Sequence, residues 1–394
     1  MTAADRQLYI DLGYRQCSRR GESICGDSVM FRQVNGERFL FVLSDGLGHG
    51  VKANILATMT ASMALRFIAE NKNIVQSAGI IMDALPVCQV RKISYATFTI
   101  VDSRADDGQT RVIEMGNPEC MLFRHADEQK LPSRQIAAPR HPDRAMSVYN
   151  FTAEAGDRLI ALSDGITQSG LGTPGKPTGW GRDGCLARIG AILADQPEIS
   201  AHQLSGRIMQ EAIALEKNHA ATDDMTAAVI HYRHPRKLLL FTGPPYDGGR
   251  DAECAAKLKK FAGTRVICGG TSAEIIAREW KKELTPDFAS VGGELPPMSK
   301  LEGVDLVTEG IFTLPIAAKY LEQRSDAGHN DPAAKLARLL QEHDVIDFLV
   351  GTRINEAHQD PNLPIELELR RNIVKRIAAV LREKYLKEVN IQFV

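Results

Sequence analysis

The sequence predicts an α+β protein of two unlike parts: antiparallel strands covered by helices, then an α/β domain with a parallel sheet. Three observations carry this. Short apolar runs rich in Val, Ile, Phe and Thr, separated by Gly, Asp, Asn or Pro, recur up to Tyr232. Beyond the polar seam Tyr232-Arg-His-Pro-Arg-Lys237, strand-like runs alternate with helix-compatible segments. And 394 residues are enough for two or three domains, each with its own core. The predicted domains are residues 1–233 and 238–394.

The elements follow in order. Val29 to Val34 and Arg38 to Ser44 flank Asn35-Gly36, a pair that supplies the positive φ angles of a tight hairpin. Leu56, Met59, Met63 and Phe67 recur at helical spacing, as do Ile74, Ala78, Ile81 and Leu85 before Pro86. These predict two helices side by side, with those large side chains as core. Strands are expected at 94–101, 110–115, 120–124, 157–163 and 226–232. Ser200 with Gln203 forms a capping box, opening a helix through Leu204, Ile208, Ala212 and Leu215. In the second domain, strands are expected at 238–241, 265–268, 304–307 and 346–350.

Composition excludes several classes of function. With 48 Lys and Arg against 49 Asp and Glu, and no block of like charge, binding to a phosphate backbone is disfavoured. Seven cysteines without a C-x-x-C pair fit neither a disulfide framework nor a zinc knuckle, and read as reduced cytosolic thiols. The opening Met-Thr-Ala-Ala-Asp-Arg has no signal-peptide pattern, and no apolar run is long enough to span a bilayer. A cytoplasmic protein with no membrane or nucleic-acid partner is expected.

The chemistry lies in the aspartates. Asp27 stands at the head of the first hairpin strand, and Asp45 directly follows Phe39-Leu-Phe-Val-Leu-Ser44. Asp164 follows Leu159-Ile-Ala-Leu-Ser163, and Asp223-Asp224 precede the strand from Thr226. Asp-Gly after a strand is, taken alone, a turn signal. Taken together, these acids stand at strand ends that a sheet can bring to one rim, where carboxylates repel unless a cation holds them. An all-oxygen set without Cys or His selects a hard ion, Mg²⁺ or Mn²⁺. Gly46 lets the backbone approach such an ion and offers its carbonyl.

Gly26-Asp27-Ser28, Ser44-Asp-Gly-Leu-Gly-His-Gly50, Ser163-Asp-Gly165 and Asp223-Asp-Met-Thr226 resemble, in order and spacing, the metal-dependent PP2C-type serine/threonine phosphatases. The similarity is to the bacterial branch typified by stage II sporulation protein E and the sigma-regulatory phosphatases, over about residues 10–233. The resemblance implies a sandwich of two antiparallel sheets flanked by helices, with two Mn²⁺ or Mg²⁺ ions at one edge. It implies that Asp45 bridges both ions, with the Gly46 carbonyl on one, and that Asp164 and Asp223 hold the other. Asp27 would bind directly or through water, and Asp224 occupies the place next to a ligand. A hydroxide shared by the ions would attack phosphorus in line.

Gly26 stands where eukaryotic members carry a further acid, and that family's phosphate-binding Arg and general-acid His do not align. Arg19 and Arg20 lie near the first motif, and Arg20 is the candidate for the phosphate; an adjacent pair of arginines is also what a solvated loop carries. His49 is either a proton donor to the leaving group or a water-facing residue at a helix start. In the bacterial branch the helices corresponding to 52–85 are similar to a regulatory switch.

The second domain repeats one device. Arg265 to Cys268 runs into Gly269-Gly-Thr-Ser272, Leu306-Val307 into Thr308-Glu-Gly310, and Phe348 to Val350 into Gly351-Thr352. Such strand-to-helix loops expose N–H groups suited to a phosphate or carboxylate, and also occur as plain connections. Asp247, Glu309, Asn355 and His358 lie in or near these loops without an assigned role. The domain could bind a small anionic regulator, contact a protein substrate or hold a homodimer.

The resulting expectation is a phosphoserine/phosphothreonine protein phosphatase in bacterial signalling, acting on phosphorylated regulators such as anti-sigma-factor antagonists. The alternatives are a catalytically weak sensor acting through its C-terminal domain, and a small-molecule phosphomonoesterase.

Overall fold

The structure, a computed structural model, describes residues 8–34, 37–70, 80, 96–138, 141–287, 295–323, 331–353, 365–385 and 387–394. The chain divides into two compact units at the His234–Pro235 junction.

In the first unit one antiparallel sheet has the order β1 (Tyr9–Cys17), β11 (Met225–Arg233), β10 (Arg158–Leu162), β6 (Met121–Arg124), β7 (Asp127–Gln129). The other runs β2 (Asp27–Val34), β3 (Arg38–Gly46), β4 (Ala96–Arg104), β5 (Gln109–Met115), β9 (His141–Thr152), β8 (Ser133–Ala138), also antiparallel throughout. The two sheets stack because strand side chains alternate between faces. Phe41 and Leu43 point inward to meet Leu159, Ala161, Ala228 and Ile230 of the opposite sheet. Leu40 and Val42 point outward under α1 (Gly50–Ala69), where they join Ala61, Ala64 and Ile68. Burial on both faces explains the unbroken apolar run at 39–43, each such side chain contributing about 2 kcal/mol. On the far side, α3 (Gly181–Asp195) and α4 (Ala201–Leu215) cover Ile160, Leu162, Ala227 and Val229. The layers are therefore helix, sheet, sheet, helix.

Several local expectations hold. The capping box at Ser200 is formed with both of its hydrogen bonds, and β2 and β3 pair from Val34↔Arg38 to Asp27↔Asp45. The hairpin turn Asn35-Gly36 lies outside the described residues, as does the helix expected at Ile74 to Leu85 except for Ile80, which is helical.

Helix α1 corrects one expectation. Its buried face is Ala53, Ala57, Ala61, Ala64 and Ile68, whereas Met59 is 55% exposed and Val51 and Ile55 are exposed beside it. The alanines let the helix axis come close to the sheet, Met63 and Phe67 pack half-buried at the side of this face as expected, and Met59 turns away from it.

Strands β1, β7, β8 and β9 and helix α3 were not anticipated. In β1, Ile10, Leu12 and Tyr14 alternate with Asp11, Gly13 and Arg15, the period of a half-buried strand, and pack against the core between the sheets. Gly13 is required there because a β-carbon would collide with the backbone of Ala201 at the start of α4.

The second unit holds one sheet in the order β14 (Leu284–Pro286), β15 (Ser299–Leu301), β16 (Leu306–Thr308), β13 (Thr264–Cys268), β12 (Lys237–Thr242), β17 (Val345–Val350), β18 (Glu388–Phe393). The pairs β16–β13, β13–β12, β12–β17 and β17–β18 are parallel, while β14–β15 and β15–β16 are antiparallel. The sheet is thus mixed, not wholly parallel, since a short antiparallel pair closes one edge. Helices α5 (Asp251–Lys260) and α6 (Gly270–Trp280) pack on one face. Helices α7 (Gly310–Gln323), α8 (Pro332–Glu342) and α9 (Ile365–Tyr385) pack on the other.

Candidate active site

The acids converge on one rim of the sandwich, two from one sheet and three from strand ends of the other. Asp27 opens β2 and Asp45 lies near the end of β3, and the two are Cα partners across the ladder, so their side chains share a face. Asp164 follows β10 as the first residue of the single helical turn α2 (Asp164–Thr167). Asp223 and Asp224 immediately precede β11, which pairs with β10.

Close approaches fix this geometry. A β-carbon on Gly46 would collide with the Ala53 carbonyl of α1, and one on Gly165 with the carbonyl of Asp224. A β-carbon on Gly26 would lie 2.6 Å from Asp224 Oδ2. An additional acid at position 26 would therefore require Asp224 to shift, and its β-carbon would lie 3.0 Å from that of Ala53.

The two sheets are also joined directly at this point. Thr226 Oγ1 of β11 donates to Asp27 Oδ2 of β2 at 2.6 Å, and the Thr226 N–H donates to Ser163 Oγ at 2.8 Å. Gln16 Nε2 donates to the Asp27 carbonyl at 3.2 Å. The Arg19 N–H donates to Asp224 Oδ1 at 3.0 Å, and Gln168 Nε2 to Asp164 Oδ2 at 3.0 Å.

Electrostatics reports the crowding. Burial, followed by the charges of Asp27, Asp164 and Asp223 and a hydrogen bond to Asp164, pushes the Asp45 carboxyl up to about 10. Asp27 is pushed up to about 6, chiefly by burial, against the lowering effect of the Thr226 and Ser163 hydroxyls. Burial also raises Asp223, with Asp164 and Asp224 adding to it and Arg19 opposing.

Among the described residues no three acidic, His or Cys side chains form a ready-made metal cage. The chemistry of the donor set nonetheless suits a hard cation. It is all oxygen, mutually repelling, and includes Asp27 Oδ1 and Asp224 Oδ2, both buried without a hydrogen-bond partner among the described residues.

The remaining candidates separate. Arg19 and Arg20 are both exposed, and the Arg20 backbone N–H donates to the Ala221 carbonyl at 2.9 Å. Arg19 is the arginine whose charge acts on Asp223; an adjacent pair in sequence gives no basis for choosing between them. His49 is the exposed residue before α1, and its Nδ1 lies 2.6 Å from Glu22 Oε1. Glu22, Gln16 and Gln168 were not foreseen, because their contacts are set by loops distant in sequence or, for Gln168, by the α2 turn. In the second unit, Asp247 caps a short helical turn by accepting from the Gly249 N–H at 2.9 Å. Asn355 and His358 lie outside the described residues.

A double antiparallel sandwich covered by helices, with strand-end aspartates gathered at one rim, defines a PP2C-type phosphatase domain. The family model described as Stage II sporulation protein E (SpoIIE) matches residues 35–233, half of the chain, and the chain belongs to that family. It is 20% identical over 228 residues to stage II sporulation protein E of Priestia megaterium, covering 57% of this chain and 37% of that protein. Against the protein of the same name from Bacillus subtilis it is 18% identical over 228 residues, covering 57% of this chain and 26% of that one. The chain thus spans well under half the length of these curated relatives. A solved structure of the PP2C phosphatase domain and a regulatory fragment of SpoIIE from Bacillus subtilis is also similar. It has a TM-score of 0.48 and 17% identity, over 58% of this chain and 64% of that one.

Proposed function

We propose that the first unit is a metal-dependent phosphatase that hydrolyses phosphoserine or phosphothreonine in a protein, in cytoplasmic signalling. The observation that carries this is the convergence of Asp27, Asp45, Asp164 and Asp223 from two sheets on one rim. Family membership supports the same reading.

Asp45 and the Gly46 carbonyl, with Asp27, Asp164 and Asp223, would hold Mn²⁺ or Mg²⁺, and Asp224 stands behind them. When bound, such ions acidify water to a nucleophile at neutral pH and neutralise charge on a phosphoryl group. The chain's own residues do the rest. Thr226 and Ser163 orient the Asp27 carboxylate, and Gln168 orients that of Asp164. Arg19, at the edge of the rim, offers a guanidinium to the substrate phosphate. His49 is positioned by Glu22, and its exposed ring can hand a proton to a leaving alkoxide. Phosphorylated regulators of the anti-sigma-factor-antagonist type are the proposed substrates.

The test is turnover of a phosphoserine peptide and of p-nitrophenyl phosphate with Mn²⁺ and with EDTA, in the native chain, Asp45→Ala and Asp164→Ala. Mn²⁺-dependent turnover of the peptide, lost in both variants, is expected. Turnover confined to sugar phosphates or nucleotides would make the protein a small-molecule phosphomonoesterase. No turnover of any phosphoester would overturn the enzymatic reading in favour of a binding role.

A further inference from the structure

The second unit carries a feature that the phosphatase reading does not use. Numbered along the chain, its parallel strands β12, β13, β16, β17 and β18 lie in the spatial order third, second, first, fourth, fifth. The direction of winding reverses between β12 and β17, and open sheets of this kind hold ligands outside the carboxyl ends of the strands at that reversal.

Four loops meet at that edge. The Gly269 N–H donates to the Thr308 carbonyl at 2.7 Å, and the Gly351 N–H to the Thr242 carbonyl at 2.8 Å. A β-carbon on Gly269 would stand 4.0 Å from the Gly243 nitrogen and 3.2 Å from Ser272 Oγ. Helix α6 starts here, and Gly269 caps it with no side chain. Its first N–H groups therefore project from the helix toward the loops.

Two buried hydroxyls at this edge have no hydrogen-bond partner among the described residues: Ser272 Oγ in the first turn of α6 and Thr242 Oγ1 at the end of β12. Each residue is 1% exposed. Leaving a buried hydroxyl unpaired costs about 1–3 kcal/mol, and a ligand can remove that cost. The Ser272 hydroxyl turns back toward Gly269, into the space at the helix start. The Arg370 guanidinium lies against Gly243, with Nη1 3.5 Å from the Gly351 carbonyl. Glu309 brings Oε1 to 2.8 Å from where a β-carbon on Gly270 would be, placing one carboxylate beside the same helix end.

We propose that this edge binds a phosphorylated, hydroxyl-bearing small molecule, a nucleotide or a sugar phosphate. Its phosphate rests on the N-terminus of α6 and is bonded by the Ser272 hydroxyl, with Thr242 and Arg370 on the β12 side. The Glu309 carboxylate accepts hydrogen bonds from the ligand's hydroxyls, which a bare phosphate lacks.

The experiment is isothermal titration of the full chain in EDTA with AMP, glucose 6-phosphate and inorganic phosphate. Saturable binding of at least one organic phosphate, tighter than inorganic phosphate, is expected. Ser272→Ala and Thr242→Val should each weaken it by about tenfold, one hydrogen bond to a charged group. Glu309→Gln should narrow the gap between the organic ester and inorganic phosphate. Asp45→Ala should bind as the native chain does, which separates this site from the acidic rim of the first unit. No binding of any of the three compounds overturns the proposal. So does native affinity in Thr242→Val together with a folded Ser272→Ala, or binding lost in Asp45→Ala.

Discussion

Asp27 and Asp45 stand opposite each other across the β2–β3 ladder, two carboxyls on one face of one strand pair, with Asp27 held from the other sheet by Thr226. Like charges in directly opposed positions destabilise a sheet. Their presence here is a cost that a bound cation would offset.

Asp45→Asn should therefore move two readouts in opposite directions. Mn²⁺-dependent phosphatase turnover should disappear. In EDTA at neutral pH the variant should be more stable than the native chain by about 1–3 kcal/mol, because the Asp45 carboxyl, pushed up to about 10, must take up a proton on folding and the amide need not. Thermal melting in EDTA checks the second outcome, and a destabilised variant would contradict the electrostatic account.

Gly46→Ala tests a steric relation. The added methyl collides with the Ala53 carbonyl, so α1 must lift from β3 at a cost of about 1–3 kcal/mol. Denaturant melts should show that loss, and turnover should fall with it because the Gly46 carbonyl moves. A variant of native stability would mean that the contact is slack.

Arg19→Ala and Arg20→Ala form a matched pair. The first removes the charge that lowers Asp223 and that is proposed to meet the substrate phosphate, and KM should rise by about tenfold. Arg20, as exposed as Arg19 but not among the main charges acting on Asp223, should leave KM unchanged. Steady-state kinetics on one phosphopeptide decides between them, and equal effects would remove the distinction.

Glu114 supplies a pH prediction away from the rim. It is buried in β5, accepts from the Cys120 N–H at 2.8 Å through Oε1, and leaves Oε2 without a partner among the described residues. Burial raises its pKa above the usual glutamate value. A carboxyl raised in the folded state binds more protons there than in the unfolded chain. Its contribution is therefore most favourable below the unfolded value of 4.5 and is lost as pH rises toward the folded one. The melting temperature of the native chain, relative to Glu114→Gln, should fall as pH is raised from 4.5 upward. A difference independent of pH would refute the assignment.

The sandwich was legible where local pattern and tertiary role coincide. Phe39 to Leu43 announces a strand buried on both faces, and Ser200 with Gln203 announces a helix start. In β1 the period of a strand is present in Ile10, Leu12 and Tyr14, but its partner Met225–Arg233 lies most of the first unit away and is not marked locally; nor is the buried face of α1, where small residues take the centre and Met59 faces out. At the rim, the aspartates were readable because each follows or opens an apolar run. Glu22 beside His49 and Arg19 beside Asp223 were not, since loop geometry decides them. In the second unit the alternating rhythm revealed the parallel strands, whereas three-residue β14 and β15 carry too little pattern to register.

The Thr226–Asp27 hydrogen bond acts as a dowel between the two halves of the sandwich. It lies at the rim, among the acids, and pins one sheet against sliding over the other at the place where their side chains must act together. Motion that changes the spacing of Asp27 from Asp164 and Asp223 would have to break it. Adjustment of the rim is thereby left to the Gly46–Gly50 loop and to α1, which are tied through His49 and Asn54 to the Glu22–Cys25 stretch before β2, a softer attachment than a strand-to-strand bond.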